Sequence, residues 1–335
     1  MASSQLCSVV VPVFNEEAVL PLLYERLTAT LAKAGMDWEI VFVDDGSSDR
    51  SWELLQGLQA RDERVVALKL SRNFGHQMAV SAGLDHARGD AVVFIDADLQ
   101  DPPEVILEFI AKFHEGYDVA YGVRQQRLGE TVFKRASAAL FYRTIRRITS
   151  VDIPADTGDF RIVSRRVADA LCALPEKHRF IRGLVSWVGF RQIGVPYVRQ
   201  ARAAGETKYP LSKMIRFASD AVTSFSTAPL RFATTAGFFA SACAFLFGAY
   251  TIVQKLAFGT PVQGWASLIV VISFLGGLQL IALGAIGAYV GRIYEQIKGR
   301  PLYILAEVRG SRAAIAPVNE YRPAQHACIA PHDAK

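Results

Sequence analysis

The chain has 335 residues, with 37 Lys or Arg against 32 Asp or Glu and a formal net charge of +5. At 51% hydrophobic residues and a mean hydropathy of +0.20, it is more apolar than a wholly soluble protein usually is. The basic balance calls for anionic partners, and with no zinc finger or other nucleic-acid signature in the sequence, lipid and phosphate are favoured and nucleic acid is not expected. Cys7, Cys172, Cys243 and Cys328 form no CxxC pair, which argues against a zinc site or a disulfide framework and fits a reducing compartment.

Met1–Gln5 is polar, and the short apolar run behind it leads into Pro12, which is not the pattern of a secretory leader. The first third then alternates strand and helix signals. Ser8–Phe14 is a Val-rich run. Residues Glu16 to about Lys33 carry Leu20, Leu23, Leu27 and Leu31 at helical spacing. Glu39–Val43, Val65–Leu70 and Ala91–Ile95 are further apolar runs, with helical stretches between them. Apolar strands alternating with helices predict an α/β fold whose mostly parallel sheet is covered on both faces. Ligands of such sheets bind at the carboxyl ends of the strands. Asp44-Asp45 and Asp96-Ala97-Asp98 stand there.

Farther along, Thr131–Thr149 places Phe133, Leu140, Phe141, Ile145 and Ile148 on one helical arc and Arg135, Arg143, Arg146 and Arg147 on the other. This reads as a helix lying in a membrane interface, or else as an amphipathic helix on the domain core. Leu211–Thr227 has a fainter version of the pattern. Phe232–Val253 and Trp265–Val290 are free of charge and long enough to span a bilayer, which predicts a two-helix transmembrane hairpin. Their flanks carry Lys213, Arg216 and Arg231 on one side and Arg292, Lys298 and Arg300 on the other, against Lys255 alone in the loop. The positive-inside rule then puts both termini in the cytoplasm. The expected division is a catalytic domain over 1–230, a hairpin over 231–291 and a cytoplasmic tail over 292–335, without periodicity from about Ala314.

Asp96-Ala97-Asp98-Leu99-Gln100-Asp101 follows the fourth strand. Read as extended chain, it points Asp96, Asp98 and Gln100 the same way, toward one hard cation such as Mg²⁺ or Mn²⁺. Such a cation would neutralise charge building on a departing nucleoside diphosphate. Asp44 and Asp45 are candidates for a base or ribose, while Ser47, Ser48 or Asp49 can cap the following helix. Glu16 and Glu17 are either donor contacts or first-turn acids complementing a helix dipole. Arg124, Arg127, Lys134, Arg202 and Lys208 are candidate phosphate holders.

Together these motifs resemble the polyprenyl-phosphate branch of the family 2 glycosyltransferases, the group of bactoprenol glucosyltransferases and dolichol-phosphate mannose synthases. The residues carrying the resemblance are Val11–Glu17, Asp44–Ser47, Leu70–Gln77, Asp96–Glu104, Gly158–Arg161, Arg179–Leu184, Ala204–Tyr209 and Gly291–Glu295, so that it covers roughly residues 6 to 310. It implies a GT-A type nucleotide-sugar domain with a divalent metal at Asp98 and Gln100 and Asp96 close by. Donor contacts fall to Pro12, Phe14, Glu16, Asp44, Asp45 and Ala97, and phosphate contacts to Arg124, Arg202 and Lys208. Phe14 stands where the family usually has Tyr. The implied reaction is inverting transfer of a hexose, glucose from UDP-glucose first, to polyprenyl phosphate by a membrane-bound homo-oligomer, often a tetramer. Asp159 is the candidate for orienting the acceptor or a sugar hydroxyl, with Asp156 in reserve. A processive synthase is disfavoured because its Q-x-x-R-W motif is missing, and a lipid flippase or scaffold would leave the acidic strand ends without a purpose.

Overall fold

The structure is a computed structural model that describes residues 5–124, 157–200, 226, 228–258 and 264–310. Residues 5–124, 157–200 and 300–310 belong to one compact unit, and 226–299 to a second.

The first unit is built on an eight-stranded sheet. Its strands are β1 (Leu6–Val13), β2 (Asp37–Asp44), β3 (Val65–Leu70), β4 (Ala91–Phe94), β5 (Val119–Arg124), β6 (Thr157–Ser164), β7 (Gln192–Tyr197) and β8 (Leu305–Arg309). The spatial order is β7-β5-β6-β4-β1-β2-β3-β8. All strands run parallel except β6, which is antiparallel to β4 and β5, and β8, which is antiparallel to β3. The mostly parallel sheet expected from the apolar runs is therefore present. From Cys7 onward every residue of β1 is buried, as are all but the first of β2, because helices cover both faces.

Those helices are α1 (Leu20–Leu31), α2 (Ser51–Arg61), α3 (His76–His86), α4 (Val105–His114), α5 (Arg165–Ala173) and α6 (Ile181–Trp187). Helix α1 buries Leu20, Leu23, Leu27 and Leu31, the four leucines that predicted it. It starts later than the expected Glu16, because the amides of Glu16 and Glu17 donate to Ser51 Oγ (2.9 Å) and Asp49 Oδ2 (3.1 Å) across the neighbouring loop. Helix α4 packs Phe109 on Phe160 of β6, with ring centroids 4.7 Å apart. Burying one such ring contributes about 1.5–3 kcal/mol.

Within the span 292–335, Leu305–Arg309 is an edge strand of the sheet of the first unit. Ahead of it, Ile304 O accepts the amide of Ser71 (2.9 Å) and Tyr303 donates to Asp85 (2.8 Å).

The second unit holds α7 (Ala228–Phe258) and α8 (Trp265–Ile297). Within them, Leu230–Ala257 and Val270–Ile297 are long and apolar enough to cross a membrane. Phe238, Phe239, Phe245, Leu246, Phe274 and Leu280 are all exposed on their surfaces. The amphipathic stretches 131–149 and 211–227 lie outside the described residues, apart from Ser226.

Candidate active site

The carboxyl edge of the parallel strands gathers the acidic motifs. Parallel pairing of β1 with β2 and β4 brings the chain after Val13, Asp44 and Phe94 out along one edge. The same edge receives the start of β6 and the end of β5, since Val123 pairs with Thr157. Pro12, Phe14, Glu16, Asp45, Asp96, Ala97 and Asp98 line a common cleft of about 290 Å³ there, together with Val13, Asn73, Gly75, His76 and Ala79.

The loop after β4 is not extended. Leu99 adopts a left-handed φ of 57°, a rare conformation for a residue of its kind, while its side chain is buried in the core. Asp98 Oδ1 accepts the amide of Gln100 (3.1 Å) within this turn. The two-residue alternation that aligned Asp96, Asp98 and Gln100 therefore does not apply. Asp96 and Asp98 face the cleft, whereas Gln100 is absent from its lining, and its carbonyl accepts the amide of Gln200 (2.9 Å). Asp101 is fully buried and accepts the Tyr197 hydroxyl.

The loops after β1 and β2 lock together. Asn15 is the other non-glycine residue with positive φ among those described (56°); its amide donates to Ser47 Oγ (3.0 Å), and its Oδ1 accepts the amide of Ser48 (2.8 Å). Glu17 accepts the amide of Arg50 (3.0 Å), so it serves the start of α2 rather than the first turn of its own helix. Helix α2 has no side-chain cap at its N-cap residue Arg50, because Asp49 Oδ1 takes the amide of Ser51 instead (2.9 Å). Gly46 is required at its position: its φ is +72°, and a Cβ would meet the Arg72 and Asn73 backbone at 2.6 Å.

Asp45 accepts the amides of Phe74 (2.7 Å) and Gly75 (3.0 Å), which pins the 71–75 loop over the cleft. Burial raises the Asp45 pKa above the usual carboxylate range, against those two hydrogen bonds. Asp44 is wholly buried; its Oδ1 accepts the Ser47 amide (3.3 Å), and its Oδ2 has no hydrogen-bond partner. Burial raises its pKa too. Asp96 is pushed up to about 6, by removal from bulk water first and by Asp159, Asp101 and Asp98 next, with His76 opposing.

Asp159 and Arg124 are on this edge but do not line the cleft. Asp159 accepts from Arg182 Nε (2.7 Å) and Gln77 Nε2 (3.2 Å) and lies 3.3 Å from His76 Nε2. Burial works against its charge, but the Arg182 field and these contacts prevail and hold its pKa well below the usual range. Arg124 Nε donates to the Tyr197 hydroxyl (3.3 Å), and the guanidinium packs on Gly158. Asp156, Arg202, Lys208, Arg127 and Lys134 lie outside the described residues. Sequence reasoning gave no role to His76, Gln77, Arg182 or Tyr197, although the motifs Leu70–Gln77 and Arg179–Leu184 contain the first three.

An α/β sheet with paired acidic loops at its carboxyl edge is the arrangement expected of a nucleotide-sugar transferase. The family model described as glycosyl transferase family 2 matches residues 8–172. An uncharacterized glycosyltransferase of Bacillus subtilis, YkcC, is 51% identical over 90% of this chain and 94% of its own length. The SfII prophage-derived bactoprenol glucosyl transferase of Shigella flexneri is 45% identical over 89% of this chain and 96% of its own. Among solved structures, glucosyl-3-phosphoglycerate synthase of Mycobacterium tuberculosis, crystallised with Mn²⁺ and UDP-glucose, aligns at 20% identity and a TM-score of 0.43, covering 66% of this chain and 78% of that one. The chain belongs to glycosyltransferase family 2.

Proposed function

We propose that this glycosyltransferase moves glucose from UDP-glucose to polyprenyl (undecaprenyl) phosphate with inversion at the anomeric carbon, giving a polyprenyl monophosphate sugar. The observation carrying the proposal is the convergence of Glu16, Asp45, Asp96 and Asp98 on one cleft at the sheet's carboxyl edge. The full-length similarity to a bactoprenol glucosyl transferase supports the choice of acceptor and sugar.

The donor set fits Mg²⁺ or Mn²⁺. Among the described residues, no three Asp, Glu, His or Cys side chains cluster into a self-sufficient metal site. Two cleft carboxylates, Asp96 and Asp98, suit a hard cation that takes its remaining oxygens from a diphosphate and water. Gln100 is the third candidate ligand. Burial first, and the neighbouring carboxylates of Asp159, Asp101 and Asp98 next, push Asp96 up to about 6, and a bound cation would favour its charged form. Once bound, the ion would supply charge neutralisation for the leaving nucleoside diphosphate.

The residues of the chain then have distinct tasks. Pro12, Phe14, Glu16, Asp45 and Ala97 hold the nucleotide sugar, and the buried Asp44 supports them from behind through the Ser47 amide. Arg124, Arg202 and Lys208 hold phosphates. Asp159, with Asp156 in reserve, orients the reacting groups, directly or through a neighbour. The acceptor phosphate has a second pKa of about 6, so near neutral pH it is mostly a dianion and needs little help from a base. Catalysis then rests on positioning two anionic reactants side by side.

Helices α7 and α8 serve as a membrane hairpin that anchors the enzyme to the bilayer carrying the acceptor. Residues before and after the hairpin share one sheet, because β8 pairs with β3. A hairpin crossing the membrane twice meets that requirement, and the basic flanks favour a cytoplasmic sheet. The proposed division remains a catalytic domain over 1–230, a hairpin over 231–291 and a tail over 292–335, with β8 of that tail joined to the sheet. The family resemblance supports a homo-oligomer, a tetramer, as the active form, and the hairpin's glycines permit close helix packing within the hairpin or between subunits.

Purified enzyme incubated with Mn²⁺ or Mg²⁺, undecaprenyl phosphate and a panel of UDP-glucose, GDP-mannose and UDP-N-acetylglucosamine tests this reading. Lipid-dependent release of UDP with UDP-glucose is the expected result. Release without lipid phosphate, or only with another donor, refutes the acceptor or the sugar respectively.

A further inference from the structure

His76 opens α3 directly after Gly75, whose φ of +99° turns the chain there. It lines the cleft beside Glu16, Asp96 and Asp98. Its Nε2 lies 3.3 Å from Asp159 Oδ2 and 3.5 Å from Asp96 Oδ1, so one imidazole edge faces two carboxylates.

Asp159 is in a different situation. It is 7% exposed and absent from the cleft lining. Oδ1 accepts from Arg182 Nε at 2.7 Å, and Oδ2 accepts from Gln77 Nε2 at 3.2 Å and Arg182 Nη2 at 3.3 Å. With His76 added, four donors address a carboxylate that offers about four lone-pair sites. The clamp is itself braced. Gln77 Oε1 accepts the amide of Ile181 (2.9 Å), and Arg182 Nη1 donates to Thr157 O (3.1 Å). Neighbouring residues on a helix point about 100° apart, so His76 and Gln77 both reach Asp159 because that carboxylate sits at the first turn of α3. A negative charge is also favoured there.

We propose that His76 is a positioning residue of the transfer reaction: Asp159, fixed by Arg182 and Gln77, holds the imidazole, and the imidazole holds the Asp96 carboxylate at the cleft. Asp159 acts on the reacting groups through His76 and does not touch substrate. This inference rests on the proposed transferase reading and deepens it.

The test is a double-mutant cycle in the full-length enzyme, with UDP-glucose and undecaprenyl phosphate. His76→Ala and Asp159→Asn are each expected to lower kcat about 10–100-fold, the scale of a misplaced reacting group. The double variant should be no worse than the poorer single variant by more than about threefold, because both changes cut one chain of contacts. His76→Gln, which keeps an N–H donor, should restore kcat to within about fivefold of wild type; a merely structural role would not depend on that donor. If the two losses multiply, or if His76→Ala turns over within about threefold of wild type, the proposal is wrong.

Should Asp159→Asn unfold, Gln77→Ala takes its place, since it leaves the Asp159–Arg182 pair intact. It should cost several-fold in the wild-type background and nothing in the His76→Ala background, and an equal cost in both overturns the proposal. The same cycle read as Mn²⁺-dependent UDP binding decides the question without turnover. A wild-type enzyme that binds Mn²⁺–UDP but transfers no sugar to lipid phosphate refutes the function and leaves this cycle readable.

Discussion

The two edges of the catalytic sheet carry similar residues and use them in opposite ways. At the amino edge, Glu39 accepts the Ser8 hydroxyl (2.6 Å), the Arg88 amide (2.8 Å) and the Arg88 guanidinium (3.1 Å). Asp118 is paired there with Arg166 and Ser164. These carboxylates are closed off by donors from neighbouring elements. At the carboxyl edge, Asp96 and Asp98 face a cleft, and Asp44 Oδ2 is buried without a hydrogen-bond partner. Among the described residues, the two left-handed non-glycine positions, Asn15 and Leu99, sit on that edge as well. Among these residues strain and unmet polar capacity lie on the carboxyl edge, beside the satisfied Asp159–Arg182 pair.

The largest effect that would sharpen this contrast is Asp98→Ala. Turnover should fall by about 10²-fold or more, the scale of losing one group that stabilises developing charge, while the melting temperature changes little. Near-normal kcat would break the comparison at its active side.

Glu39→Ala tests the other edge and should give the reverse pattern. Removing the acceptor of several buried hydrogen bonds should cost about 2 kcal/mol of stability, or a melting temperature lower by about 4–8 °C. Turnover measured well below the transition should be unchanged.

A pH series separates the two sides of the Asp159 clamp. Burial opposes the charged imidazolium, but Asp159 and Asp96 outweigh it and raise the His76 pKa from 6.5 to about 9. A raised pKa stabilises the fold fully below 6.5, and that stabilisation is lost as pH climbs to about 9. Asp159, depressed by Arg182 and His76, contributes above the ordinary carboxylate range and loses its share on acidification below it. Melting temperature should therefore fall between pH 6.5 and 9, and His76→Gln should flatten that fall. An equal slope in the variant would remove His76 from the account.

Phe14→Tyr should have the smallest effect. The ring is 47% exposed at the cleft, so a hydroxyl there meets water and leaves no buried polar group unsatisfied. Turnover within about twofold of wild type is expected. A gain of tenfold or more would mean that the ring's polar tip contacts the donor.

Hydrophobic pattern alone settled the helix–strand alternation, the parallel core and the two long apolar helices, because burial on two faces or in lipid demands uninterrupted apolar runs. The acidic strand ends were legible for the same reason, since a charge cannot continue such a run and must mark its exit. Only the tertiary structure decided how those charges are employed. The turn at Leu99 broke the alternation of Asp96, Asp98 and Gln100, the amides of Glu16 and Glu17 were captured by a loop more than thirty positions away, and β8 returned to the sheet from beyond the hairpin. The clamp of His76, Gln77 and Arg182 on Asp159 joins three segments distant in the chain. Hydrogen bonds between remote loops leave no periodic trace in sequence, because they depend on where the sheet delivers each loop rather than on local spacing.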